Sequence, residues 1–105
     1  MVDEIEPDEL KKRLDDGNVP QIIDIRNQQN FGEGHIPGSE NVPFPELTQR
    51  IEEQEWSDDV VVVCPIGESS LQAARLIESY EGFDGKVANL KDGYRGWEYE
   101  LEKDD

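Results

Sequence analysis

Four valines stand in a row at Val60 to Val63. A run that is apolar on both faces cannot belong to a sheet with one wet side. It suits a central parallel strand covered by helices above and below. Two other short runs support the same reading: β-branched Gln21 to Ile25 and the strand-like Lys86 to Leu90. Segments of helical character lie between them. Pro7 fits the first position of a helix with acids in its first turn, Leu10 and Leu14 on its inner side and Gly17 as its stop. Glu46 to Glu53 reads as a short helix, with Leu47 and Ile51 facing inward. Ser70 to Tyr80 reads as another, with Leu71, Ala74 and Ile77 at helical spacing, and Asp92 to Leu101 contains a last one. Asn27 to Pro45 is polar and punctuated by Gly and Pro, with room for at most one short strand around Glu40 to Pro43. Alternating strands and helices predict an α/β fold with a mainly parallel sheet, flanked by helices on both faces. With 105 residues and neither internal repeats nor a long linker, residues 1–105 are expected to form one domain.

Charge sets the next limits. The chain has 26 acidic against 10 basic residues, a net charge of −16. Nucleic acid needs clustered Lys and Arg, and anionic membranes need a basic face, so both are disfavoured as partners. Disorder is disfavoured too, because Leu, Ile, Val and Phe together make up 26 of the 105 residues. That is above the share of about 20% below which disorder becomes the default. No apolar run approaches the roughly 20 residues that cross a bilayer, and the opening MVDEIEPDEL has no apolar stretch of signal type. A soluble, cytoplasmic, monomeric protein is the expectation. The acids are dispersed and Lys is scarce, at five residues. Such a surface is similar to those of proteins from salt-accumulating halophiles, where strong screening tolerates dense negative charge.

Cys64 is the only cysteine, so no intrachain disulfide can form, and the ligand spacing of a metal site is absent. No metal or cofactor is expected. The cysteine follows the most apolar strand and opens the loop Cys64, Pro65, Ile66, Gly67, Glu68, Ser69, Ser70 before a helix. Ligand sites in parallel α/β sheets form beyond the carboxyl ends of strands. A helix N-terminus there offers free N–H groups that favour a thiolate, and Gly67 allows a tight turn. The alternative is a cysteine that merely ends a buried strand, since free Cys is among the most buried residue types.

Several motifs in order carry a resemblance. IIDIRNQQNFGEGHIPGSENVPF contains the Asp24–Arg26 pair, Phe31 and the segment Gly34 to Gly38; VVVVCPIGESSLQAARL and NLKDGYRGW follow. Together they resemble the rhodanese-like family over about residues 3 to 100. The resemblance implies a five-stranded parallel sheet and a sulfurtransferase. Cys64 would take up sulfane sulfur as a persulfide and pass it to a thiophilic acceptor such as cyanide, a thiol or a protein cysteine. The partners would be small sulfur compounds or a protein that donates or accepts a persulfide. Backbone N–H groups of Ile66, Gly67, Glu68, Ser69 and Ser70 are the candidate donors to the anionic sulfur. Related dual-specificity phosphatases place Arg six residues after the cysteine in a loop one residue longer; Ser70 stands there, which disfavours phosphatase activity.

The chain departs from the family pattern in its loop. Many active members carry a basic residue there, often Arg five residues after the cysteine, where this chain has Ser69, with Glu68 beside it. Without a bidentate partner for an oxyanion, inefficient use of thiosulfate is expected, and a protein persulfide or a less charged polysulfide fits better. Arg95, on the closing segment, is a candidate to supply the missing positive charge. Asp24 and Arg26 are read as a structural pair supporting the site, and His35 as an anchor of its turn through hydrogen bonds. Trp97 and Phe31 are read as core, and Ser69 and Ser70 as sulfur donors or helix caps. A second reading makes the protein a non-catalytic or regulatory module that binds a partner or senses oxidants through Cys64.

Overall fold

The computed structural model describes residues 2–103. Five strands form one sheet: β1 (Asp3–Ile5), β2 (Gln21–Asp24), β3 (Glu40–Asn41), β4 (Asp59–Val63) and β5 (Lys86–Leu90). Their order is β1-β5-β4-β2-β3 and every pairing is parallel. Four α-helices connect them: α1 (Pro7–Asp15), α2 (Gln28–Glu33), α3 (Phe44–Arg50) and α4 (Ser69–Ser79). A 3-10 helix, Gly93–Gly96, follows β5.

The valine run occupies the middle strand, and its residues alternate between two cores. Val60 and Val62 join Ile23, Ile25 and Val87 in packing against Leu47 of α3 and Ala73, Ala74 and Ile77 of α4. Val61 and Val63 join Ile5, Ile22 and Leu90 against Leu10 of α1 and Trp97. All four valines are at most 1% exposed. Each contributes on the order of 1.5–3 kcal/mol of transfer free energy on burial, which is why this strand tolerates no polar face.

Three expectations are corrected, and the fifth strand of the expected sheet is located as β1: it has three residues, two of them exposed acids, so only Ile5 signals a core position. Such a short, charged strand is typical of a sheet edge. α2 lies in the stretch expected to be loop. It buries no residue and so has no apolar stripe; its one local cue is Asn27, whose side chain accepts the Asn30 N–H at 2.8 Å. α3 begins at Phe44, with Pro45 in its first turn, and ends at Arg50. The last helix is only the four-residue 3-10 segment, because the chain there docks on the loop after β4 instead of continuing to wind: the Tyr94 N–H donates to the Cys64 carbonyl at 2.9 Å. No helix among the described residues is long and apolar enough to cross a membrane.

Candidate active site

Register places the site. Asp24, the last residue of β2, pairs with Val63, the last of β4. The ends of β2, β4 and β5 therefore meet around Cys64, which is buried at 1% exposure against the α3–α4 core. The chain turns back over it through Gly67, whose φ of +89° favours glycine. The Gly67 N–H donates to Cys64 Sγ at 3.0 Å. Of the five loop amides expected to face the sulfur, it is the one that makes this bond among the described residues. α4 starts two residues later, with Glu68 as its cap residue and no side-chain cap bond. Pro65, Ile66, Glu68 and Ser69 form an exposed rim over the buried thiol, Ile66 being 44% exposed.

The segment after β5 closes the other side. Besides the Tyr94 N–H on Cys64, the Arg95 N–H donates to the Pro65 carbonyl at 2.9 Å. A Cβ on Gly93 would lie 2.0 Å from the Cys64 carbonyl oxygen and 2.9 Å from the amides of Gly67 and Ile66. Asn89, buried in β5, donates its amide to the Gly67 carbonyl at 3.0 Å and accepts the Ser70 hydroxyl. The Ser70 hydroxyl is committed to Asn89 and the cap residue of α4 is Glu68, where Ser70 was expected as a sulfur donor or a cap. Arg95 reaches the loop through its main chain, while its side chain is exposed and has no ion-pair partner among the described residues.

A polar cluster supports the end of β2. Asp24, fully buried, accepts from the Arg26 N–H at 2.9 Å and from the Arg26 guanidinium at 2.9 to 3.2 Å. Arg26 also donates to the Gly34 carbonyl at 2.6 Å. The Tyr94 hydroxyl donates to Asp24 Oδ2 at 2.7 Å and accepts the Ile36 N–H at 3.0 Å, while the Arg26 guanidinium lies 3.7 Å over the Tyr94 ring. Burial, then the charge and hydrogen bond of Asp24, push the Tyr94 phenol well above its ordinary range. Burial works against the Arg26 charge, but the hydrogen bond and charge of Asp24 outweigh it and raise its pKa. His35 lies beside this cluster. Its Nδ1 donates to the Phe31 carbonyl at 2.8 Å, its ring stacks on Phe31 at 3.8 Å, and its backbone exchanges two hydrogen bonds with Glu102. None of these bonds touches the Cys64 loop. Trp97 is buried in the core, and Phe31 is only half-buried. No group of three or more His, Cys, Asp or Glu among the described residues could hold a metal ion.

Two of these residues went unassigned in the sequence. Asn89 had a faint signal, as the one amide among the apolar residues Val87, Ala88 and Leu90. Tyr94 had none, because its partners are Asp24 and Ile36, far away in the chain.

Fold and site together define an α/β protein with a buried cysteine at the carboxyl end of its central parallel strand, held under a loop whose Gly67 amide faces its sulfur. Residues 6–100 match the rhodanese-like domain, and the chain belongs to that family. A sulfurtransferase of Allochromatium vinosum is 33% identical over 97 residues, covering 92% of this chain and 89% of that relative. YrkF of Bacillus subtilis is 31% identical over 96 residues, 91% of this chain but 51% of that protein, so the chain spans about half its length. Among solved structures, the rhodanese-like domain protein from Staphylococcus aureus superposes with a TM-score of 0.86 at 25% identity, covering 99% of this chain and 100% of that one.

Proposed function

We propose that this protein is a sulfurtransferase that carries sulfane sulfur as a persulfide on Cys64. The observation that carries the reading is the Gly67 N–H aimed at Cys64 Sγ, at 3.0 Å, on the N-terminal side of α4. That arrangement favours negative charge on sulfur before and after transfer. In the first step the Cys64 thiolate attacks the outer sulfur of a donor. A sulfur–sulfur bond forms, the donor's own bond breaks, and the leaving group departs with the electron pair: sulfite from thiosulfate, or a thiolate from a persulfide. In the second step an acceptor nucleophile attacks the outer sulfur of the Cys64 persulfide and regenerates the thiolate.

The loop sets the donor. Glu68 and Ser69 are exposed on its rim and the Arg95 guanidinium is not tied down there, so a dianion meets an acid and no fixed cation. A protein persulfide or a less charged polysulfide is the better donor. Incubating the protein with polysulfide or thiosulfate and weighing it intact tests the reading. A gain of one sulfur atom is expected, faster from polysulfide, and absent in Cys64→Ser. No gain in wild type with either donor would overturn it. Glu68→Gln is expected to speed loading from thiosulfate, a dianion, several-fold while speeding that from a singly charged persulfide less.

A further inference from the structure

We infer that Asn89 is a positioning residue for Cys64: it holds the Gly67 carbonyl, and so fixes the glycine whose own N–H faces the sulfur. The inference rests on the proposed role of Cys64 and adds a residue outside the loop to it. Asn89 is 2% exposed in β5, between Ala88 and Leu90. A buried amide must satisfy both ends, and both partners of this one belong to the active loop and the first turn of α4. Its Nδ2 donates to the Gly67 carbonyl at 3.0 Å and its Oδ1 accepts the Ser70 hydroxyl. The orientation is unambiguous, since the reverse would set two carbonyl oxygens against each other.

Gly67 is therefore held at three points. Its N–H is on Cys64 Sγ, its carbonyl is on Asn89, and its α-carbon rests on the backbone of Asp92, where a Cβ would come within 3.0 Å. A glycine with φ of +89° has broad conformational freedom of its own. Without the amide on its carbonyl, that oxygen could turn toward the sulfur and repel a thiolate. Ser70 completes the device by locking the Asn89 side chain from the other side. The elements packed around Cys64 carry Asp24 and Arg26 at the end of β2, Glu68 in the loop, Asp92 and Arg95 after β5, Glu46 and Arg50 on α3, and Arg75 and Glu78 on α4. None of these changes when Asn89 or Ser70 is replaced by alanine.

The test compares wild type, Asn89→Ala and Ser70→Ala as full chains. It uses iodoacetamide alkylation of Cys64 across pH, single-turnover loading from polysulfide, and thermal melting. In Asn89→Ala the pH of half-maximal alkylation is expected to rise by about one unit, with loading near neutral pH slowed about tenfold. Ser70→Ala is expected to shift both in the same direction by less. An Asn89→Ala protein that folds and keeps profile and loading within twofold of wild type, whatever its melting temperature, would overturn the inference. If that variant does not fold, an unchanged profile in Ser70→Ala overturns it equally. Should wild type take up no sulfur, the proposed function fails, while the alkylation profiles still decide the role of Asn89.

Discussion

Gly93 shows how tightly the site is built at the scale of one residue. A methyl group there would lie 2.0 Å from the Cys64 carbonyl oxygen, at a φ of +58°. The Cys64 carbonyl and the Gly67 and Ile66 amides that would meet it cannot readily give way, because all three are backbone. Gly93→Ala is expected to cost more than about 3 kcal/mol and to abolish sulfur loading, as read by urea denaturation and intact mass. Asp24 illustrates the opposite case, a residue that matters through folding. Its carboxylate accepts from Arg26 and Tyr94 while fully buried. Asp24→Ala leaves the Arg26 guanidinium, 12% exposed, without its partner, at a cost of roughly 3–5 kcal/mol. The fraction that remains folded at low temperature is expected to load sulfur at close to the wild-type rate. Cys64 was legible in the sequence because a lone cysteine after a doubly apolar strand is a local pattern. Asn89 and Tyr94 were not, because they act on groups 22 and 70 positions away.

Among elements, the 3-10 helix after β5 is the one whose pH behaviour can be derived. Tyr94 ties it to β2, and the Tyr94 phenol is raised above its ordinary value near 10 by burial first and Asp24 second. The folded state thus keeps its proton at a pH where the unfolded chain has lost it. The stability this group contributes is complete below about pH 10 and is lost as pH rises further, with a slope of about 1.4 kcal/mol per pH unit. Tyr94→Phe is expected to flatten that alkaline loss in denaturation measured from pH 8 to 11. At neutral pH it costs about 1–3 kcal/mol, since Asp24 and the Ile36 N–H lose a partner. Tyr99, raised first by its hydrogen bond to Asp8, contributes in the same direction but where solvent screens it, so Tyr99→Phe should flatten the slope less than Tyr94→Phe. The same contrast explains which elements could be read in advance. β4 and α4 announce themselves by the apolar residues they bury. β1 buries one side chain and α2 none, so no periodicity marks them, and the closing segment is shaped by the loop it lands on.

At the scale of the whole molecule, charge dominates. A net charge of −16 is confined to a body of 34 × 27 × 23 Å, so at low salt many acids lie within one Debye length of about 10 Å. Salt weakens both this self-repulsion and the favourable surface pairs, such as Lys11–Asp15 and Lys12–Asp16. Exposed pairs are each worth only tenths of a kcal/mol, and 10 basic residues cannot balance 26 acidic ones. Repulsion therefore wins. The melting temperature is expected to climb between 0.1 and 1 M salt, and a fall over that range would contradict this balance. The sheet order has a consequence for how the protein is made. β1 has a single neighbour, β5, with Asp3 opposite Ala88. Within this sheet β1 thus waits for β5, which begins only at Lys86, and Cys64 waits with it for Asn89, Gly93 and Tyr94. A chain arrested before residue 86 is expected to be readily cleaved by protease and poor in sulfur uptake, so the proposed site on Cys64 takes shape only once β5 and the segment behind it are in place.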